Sequence, residues 1–225
     1  MLVAIIGAME EEIAYLKNKI NIIKEEVFLD YHFYYGNYQN KDIVFVKSGV
    51  GKVNASMLLS FFYFKYPNVS YVINTGIAGG YNCKHYDVVA AKYSIYSDVD
   101  LTLVGYAYGQ MSHTPRYFEG SQTLISLLDD NVIVGTICTA DKLATDIDEV
   151  NNLVKKHFND LDVKAFDMES AAFAHAAYNL HIPFLSIRTI SDVIGEKEQI
   201  DSLENNAISA ADKNCQVVLS LLNKL

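Results

Sequence analysis

Seven apolar runs of strand length recur along the chain, and segments with helical character separate most of them. The runs cover residues 2–6, 43–46, 71–73, 88–91, 132–137, 163–166 and 184–190. Continuous apolar runs are typical of strands that are buried on both faces of a parallel sheet. The pattern therefore predicts an α/β fold, with a single three-layer α/β/α domain over residues 1–225 and a central mixed, mostly parallel sheet.

The sheet is expected to be mixed because an aromatic-rich stretch and a polar turn lie between residues 27 and 45, where they predict an antiparallel meander. Helices are expected at residues 11–18, 52–65, 122–129, 146–157, 169–179 and 202–222. The helix at 52–65 is apolar on nearly every face. Such a helix must be covered on all sides, so we expect it to lie in the interface of a homodimer.

Charge and cysteine content limit the classes of partner. The chain has a net charge of −9, which argues against nucleic acid or an anionic membrane surface as partner. Its three cysteines are widely spaced and form no Cys-x-x-Cys pair, so we expect neither disulfides nor a metal site. The N-terminal apolar run is too short for a signal peptide or a membrane span. We therefore expect a cytoplasmic protein with a small-molecule ligand.

A cation and an acid follow the last apolar run. Only Arg116 and Arg188 among the 18 basic residues are arginines, and Arg188 precedes Ser191 and Asp192. Ligands of α/β sheets lie beyond the carboxyl ends of the strands, and the guanidinium fork recognises carboxylates and polarised oxygens. The pattern indicates a ligand site, with a buried ion pair as the alternative for Arg188.

Further polar or flexible residues follow other strands. Glycine stretches at 48–52 and 75–80 match no phosphate-binding motif, and each is as typical of a tight turn as of a ligand wall. Met168 and Glu169 follow the strand at 163–166 and together suit the face and the vicinal hydroxyls of a sugar. His175, on an apolar helix, is expected to be a packed core residue.

Six motifs, in order from the first residue to the last helix, resemble those of the 5′-methylthioadenosine/S-adenosylhomocysteine nucleosidases, in the superfamily of nucleoside phosphorylases and nucleosidases. They lie at residues 1–12, 47–53, 73–76, 105–110, 167–169 and 188–192. The resemblance implies a homodimeric enzyme that hydrolyses the N-glycosidic bond of adenine nucleosides without a metal or cofactor. Its implied substrates are 5′-methylthioadenosine, S-adenosylhomocysteine and 5′-deoxyadenosine.

The resemblance also implies roles for individual residues. Asp192, helped by Ser191, would protonate N7 of adenine, which requires burial to raise the pKa of such an acid. Glu12 would activate the attacking water as general base. Glu169 would hold the ribose 2′- and 3′-hydroxyls and Met168 would pack against the sugar. Arg188 would order the carboxylates and the water.

The resemblance extends to the rest of the pocket. Val50 and Tyr106, with the loop up to residue 115, would line the apolar 5′ pocket, part of which the partner subunit would supply. The loop at 139–144 would bind the base largely through backbone groups. The other implied substrate-binding residues are Met9, Ala78, Gly79, Leu143, Ala144 and Phe166.

Three positions depart from the family pattern. Ile77 stands where a serine is usual, and Leu143 stands where an aromatic ring stacks on the base. Residues 196–204 contain no phenylalanine, which leaves Leu203 or Ile200 to close the pocket. These departures leave the preferred base and 5′ group open.

Two other functions are weighed against hydrolysis. A purine nucleoside phosphorylase would use phosphate in place of water, but it needs an anion site, and Glu12 would repel phosphate. A non-catalytic nucleoside-binding protein would not need Glu12, Arg188 and Asp192 together. Hydrolysis is favoured over both.

Overall fold

The structure is a computed structural model that describes residues 1–225. Its strands are β1 (Leu2–Gly7), β2 (Asn21–Phe28), β3 (Tyr31–Tyr38), β4 (Lys41–Lys47), β5 (Val69–Gly80), β6 (Val88–Tyr96), β7 (Phe118–Glu119), β8 (Ile133–Thr139), β9 (Val163–Asp167) and β10 (Phe184–Val193). Its helices are α1 (Glu11–Lys17), α2 (Lys52–Lys65), α3 (Gln122–Ile125), α4 (Ile147–His157), α5 (Ser170–Leu180) and α6 (Gln199–Lys224), and a 3-10 turn spans Thr102–Val104.

All ten strands belong to one mixed sheet, which confirms the predicted fold class. β1 lies parallel to β4 on one side and to β5 on the other, and β5 also pairs in parallel with β10. β2, β3 and β4 form the predicted antiparallel meander. From β10 the sheet continues through β6 and β8 to β9, which pairs with the last two residues of β5. This part of the sheet therefore closes on itself.

Helices cover both faces of the sheet. Ala4 and Ile6 of β1 belong to a core cluster that contains side chains of α2 and α5. Val3 and Ile5, on the opposite face of the same strand, belong to a second cluster with α1 and α6. Burial on both faces explains why the strand is apolar at every position rather than at alternate ones.

Several elements extend beyond the predicted bounds or stop short of them. β5 continues through the glycine stretch to Gly80, so a segment considered as a turn or ligand wall is strand. β10 continues to Val193, so Asp192 lies within the strand. α3 ends at Ile125, four residues before its predicted end, and α6 begins at Gln199, three residues before its predicted start. Pairing with distant strands extends β5 and β10, and local periodicity carries no record of that pairing.

The fold brings the carboxyl ends of β1, β5 and β10 to one edge of the sheet, where the end of β9 joins them. His175, expected to be a packed core residue, is only half-buried on α5, where its ring stacks on Phe118 with centroids 4.8 Å apart. None of the helices has the length and apolar character that a membrane crossing requires.

Candidate active site

A cavity of about 140 Å³ opens at the edge of the sheet where β1, β5, β9 and β10 end. Most of the residues that the sequence analysis singled out line this cavity. They are Met9, Glu12, Val50, Ala78, Gly79, Leu143, Phe166, Met168, Glu169, Ser191 and Asp192, and Ala8, Ile77, Asp167 and Leu203 join them. The cavity thus faces several carboxyl groups near the ends of β1 and β9 and a single one, that of Asp192, on β10.

Three residues with predicted substrate contacts do not line this cavity. Tyr106 lies in the loop after the 3-10 turn, where its hydroxyl is 2.9 Å from that of Ser112. Arg188 lies behind the carboxylates, and Ala144 directs its carbonyl at the side chain of Gln199. Their contacts with substrate stay predictions.

Glu12, in the first turn of α1, is only 2% exposed and is held by backbone groups. Its Oε2 accepts hydrogen bonds from the N–H groups of Ala8 (2.5 Å) and Met9 (3.0 Å), and its Oε1 accepts one from the N–H of Ile77 (3.0 Å). Burial raises the pKa of Glu12, while the Arg188 guanidinium and these N–H groups act to lower it. Both oxygens are therefore fixed in a site where the carboxyl binds a proton more readily than in water.

Arg188 is completely buried and lies at the centre of a charged cluster. Its Nη2 is 2.7 Å from Oδ2 of Asp167 and 3.3 Å from Oε2 of Glu169, and it donates to Oδ1 of Asn74 at 2.6 Å. Its Nη1 lies 3.7 Å from Oε1 of Glu12 and has no hydrogen-bond partner. One guanidinium thus stands among three carboxylates, so the cluster cannot be neutral unless it also holds protons.

Gly76 makes this arrangement possible. It pairs with Arg188 in the register of β5 and β10. A Cβ atom at Gly76 would lie 2.0 Å from Nη1 of Arg188 and 2.5 Å from Oε1 of Glu12. A glycine is therefore required for the guanidinium to approach Glu12 across the sheet.

Glu169, at the start of α5, joins the same cluster to the cavity. Its Oε1 accepts a hydrogen bond from the N–H of Gly51 at 2.9 Å, and its Oε2 faces Arg188. Gly51 has φ of +96°, a conformation that favours glycine. Burial and the neighbouring carboxylate of Asp167 raise the pKa of Glu169 to about 7, against the opposing effect of Arg188. Glu169 therefore exchanges its proton near neutral pH.

Asp192 is also buried, at 1% exposure, but its surroundings are neutral. Its Oδ1 accepts a hydrogen bond from the hydroxyl of Ser191 at 2.7 Å, and its Oδ2 accepts one from Nε2 of Gln199 at 2.7 Å. It forms no salt bridge with Arg188 or any other cation. The two ends of the cavity therefore offer carboxyl groups in different electrostatic surroundings.

The residues that depart from the family pattern lie in the cavity wall. Ile77, 9% exposed, lies in the cavity wall beside Glu12 and packs in a cluster with Met9 and Leu203. Leu143 lines the cavity and is 42% exposed. Leu203, rather than Ile200, closes the wall from α6. An aliphatic surface thus replaces the hydroxyl and the aromatic rings that the family usually has there.

Sequence reasoning missed three residues of this site. Asp167 and Asn74 lie within recognised motifs, and this was the available signal. Their contacts with Arg188 are visible only in the structure. Gln199 had no such signal, because the helix containing it was expected to begin three residues later. Its hydrogen bonds to Asp192 and Ala144 are visible only in the folded chain.

Comparisons with known proteins agree with this geometry. Residues 2–223 match the family model of the phosphorylase superfamily. A 5′-methylthioadenosine/S-adenosylhomocysteine nucleosidase of Bacillus licheniformis is 35% identical over 236 residues, with both chains fully covered.

Two solved structures are similar in fold and sequence. An MTA/SAH nucleosidase of Streptococcus pneumoniae, solved in complex with 8-aminoadenine, gives a TM-score of 0.93 at 35% identity, with all of both chains covered. The enzyme of Colwellia psychrerythraea, in complex with adenine, gives a TM-score of 0.93 at 34% identity and covers all of this chain and 96% of its own.

Proposed function

The chain belongs to the phosphorylase superfamily, and from this premise we propose that it cleaves 5′-methylthioadenosine and S-adenosylhomocysteine with Asp192 as acid and Glu12 as base. It is an N-glycosyl hydrolase, like the full-length nucleosidases to which it is about 35% identical. The observation that carries the assignment of roles is the pair of buried carboxyl groups, Glu12 and Asp192, which face one cavity from contrasting surroundings.

The leaving group determines what Asp192 must do. Adenine is a poor leaving group as an anion, so its N7 must gain a proton as the glycosidic bond breaks. Asp192 is the carboxyl group on the β10 side of the cavity, and Ser191 orients it. Asp192 forms no salt bridge, so no cation competes with the base for its carboxyl group.

The opposite side of the cavity suits the attack of water. The sugar acquires oxocarbenium character as the base departs, and a carboxylate that removes a proton from water assists the attack. Glu12 is held by three backbone N–H groups, and its raised pKa brings its basicity closer to neutrality. Glu169 and Met168, which line the same cavity, offer an acceptor for the ribose hydroxyls and an apolar surface for the ring.

The charge distribution favours water over phosphate as nucleophile. A phosphate site needs cationic or N–H donors that are free to bind it. Arg188 is the cation of this site, and its Nη2 is already engaged by Asp167 and Asn74. Its unpaired Nη1 is buried and lies 3.7 Å from the carboxylate of Glu12. Three carboxylates around it would repel a phosphate dianion.

We also propose that the protein is a homodimer that uses α2 as interface. The helix buries Leu58 and Leu59 against the sheet but leaves Val53 76% exposed and Phe64 82% exposed. A hollow of about 510 Å³ with Met57 and Val99 in its wall runs beside it. Beyond this hollow, Leu103 in the 3-10 turn is fully exposed, which suits insertion into a second copy.

Light scattering at micromolar concentration tests the dimer. The protein should have twice its chain mass of 25.2 kDa. Val53→Glu and Phe64→Glu should reduce the mass to that of a monomer, because a charge would then be buried in the interface. Ile208→Glu, on the exposed face of α6, is the matched control. A monomeric mass for the unaltered protein contradicts this proposal.

We place the protein in the cytoplasm on the basis of its cysteines. Cys83, Cys138 and Cys215 are all buried and free, which fits a reducing compartment.

The reaction itself is tested by incubating the protein with 5′-methylthioadenosine and measuring free adenine in the presence and absence of phosphate. Hydrolysis predicts release at the same rate in both. Release that requires phosphate would identify a phosphorylase instead. Binding without release would identify a nucleoside-binding protein, and either result overturns the proposal.

A further inference from the structure

Gln199 lies beside the cavity, where its side chain joins Asp192 to the loop at residues 139–144. It is the first residue of α6 and is only 5% exposed. Its Nε2 donates hydrogen bonds to Oδ2 of Asp192 (2.7 Å) and to the carbonyl of Ala144 (2.8 Å), and its Oε1 accepts one from the N–H of Gly195 (3.0 Å). Both hydrogens of the amide are therefore used to join the acid to the loop that is expected to bind the base.

The same two acceptors suit the amino group of adenine. In adenine, N7 and the 6-amino group lie side by side on one edge of the ring. A carboxyl group that serves N7 with one oxygen presents its other oxygen to that amino group. Like the amide of Gln199, the amino group is a planar NH₂ with two hydrogens, and the adjacent acceptors are Oδ2 of Asp192 and the carbonyl of Ala144.

We propose that Gln199 is a latch beside the base end of the cavity: its side-chain amide holds the two acceptors that suit the 6-amino group of adenine, and it gives up both contacts when adenine binds. This inference rests on the proposed function, because it assumes that Asp192 faces N7. Gln199 is a positioning residue, since it acts through Asp192 and the carbonyl of Ala144.

The structure offers a place for the displaced amide. Gln199 itself lines a polar hollow of about 270 Å³, together with Thr145 and its neighbours in residues 196–201. Glu198, which precedes α6, provides no side-chain cap for its first turn. An uncapped first turn is the part of a helix that moves at the least cost in free energy.

Base binding tests the exchange of contacts without requiring turnover. Gln199→Met keeps the length of the side chain and removes its donors, and Gln216→Met, at an exposed position of α6, is the matched control. Calorimetric titration of the unaltered protein and both variants with adenine and with purine, which lacks the amino group, gives the affinities. We expect Gln199→Met to bind adenine roughly three- to tenfold more tightly, since the base no longer displaces a hydrogen-bonded amide.

Purine affinity should change less than twofold, because purine need not displace Gln199. Weaker adenine binding by Gln199→Met, or an equal change for both bases, would make Gln199 a fixed part of the wall and overturn the proposal. Gln199→Asn, whose amide is one methylene too short to reach both acceptors, should shift adenine binding in the same direction, and it replaces the Met variant if that variant does not fold.

Failure of the proposed function is a different result. If the unaltered protein releases no adenine from either nucleoside, the function is wrong, and the titrations still decide whether Gln199 yields to adenine. If it releases adenine but Gln199→Met binds the base no more tightly, only the latch is wrong.

Discussion

Glu12 and Asp192 are both buried carboxyl groups that face one cavity, yet the groups around them differ in kind. Glu12 belongs to a cluster of three carboxylates around the Arg188 guanidinium, and backbone N–H groups fix both of its oxygens. Asp192 is held only by neutral side-chain donors. The comparison teaches that burial alone does not assign a proton, because the neighbouring charges and donors decide which acid gives it up and which accepts it.

The largest effects on activity are expected when Asp192 or Glu12 is replaced by its amide. Asp192→Asn and Glu12→Gln should each lower kcat at least about a hundredfold, because a positioned acid or base contributes roughly 10²–10⁴ in rate. The residual activity of Glu12→Gln should also lose its acidic limb, because the pKa of Glu12 is raised by burial. Adenine release across pH measures both.

Asp201→Asn and Glu11→Gln change exposed neighbours in the same way and should retain activity. Thermal unfolding should be unchanged in Asp192→Asn, so a lost rate reflects chemistry. Near-normal turnover of this variant would remove Asp192 from the role of acid.

Removing the guanidinium of Arg188 should lower the free energy of unfolding. Arg188→Met leaves three buried carboxylates without their cation, and breaking a buried pair in this way costs about 3–5 kcal/mol. Arg116→Met, which breaks a partly exposed pair with Asp160, should cost about 1 kcal/mol or less. Denaturant unfolding at pH 5 and pH 8 gives both values.

The sign of the pH effect follows from the raised pKa values of Glu12 and Glu169, which should rise further without Arg188. A carboxyl group whose pKa is higher in the folded than in the unfolded chain lowers the stability of the fold as the pH rises from the unfolded pKa through the folded pKa. The loss of unfolding free energy in Arg188→Met should thus be greater at pH 8 than at pH 5. A loss that shrinks with rising pH would contradict the charge assignment of the cluster.

A smaller effect is expected at the sugar. Glu169→Gln should raise KM about tenfold with a lesser change in kcat, since a hydrogen bond to a charged acceptor is worth about 1.5–3 kcal/mol and the amide retains part of it. Because the pKa of Glu169 is raised to about 7, KM of the unaltered enzyme should rise as the pH falls below neutrality. Steady-state kinetics from pH 5 to pH 8 should show no such rise in KM for the variant. An exposed change, Glu198→Gln, is the control, and an unchanged KM in Glu169→Gln would exclude its contact with the ribose.

The smallest expected effect concerns the base wall. Leu143→Phe restores an aromatic surface and should tighten adenine binding up to about fivefold, in line with roughly 1 kcal/mol for an aromatic pair. Ile200→Phe adds the same ring outside the cavity and should leave the affinity unchanged. Equal affinities for Leu143→Phe and the unaltered protein would mean that the base does not stack at this position.

Local residue patterns predicted much of the fold. The apolar runs located seven of the ten strands, and the helix at 52–65 begins and ends where it was expected. The two-residue strand β7 was missed because two residues carry no periodicity. The lengths of β5 and β10 were underestimated because their ends are stabilised by pairing between residues more than a hundred positions apart.

The sequence by itself determined which chemical groups reach the edge of the sheet, because Glu12, Glu169, Arg188 and Asp192 each lie at or near the end of a recognisable apolar run. Only the tertiary structure decided how they are grouped. It placed Arg188 with Asp167 and left Asp192 to Ser191 and Gln199. Proton affinity depends on charges and donors within a few ångströms, and in a folded chain those neighbours come from segments far apart in sequence.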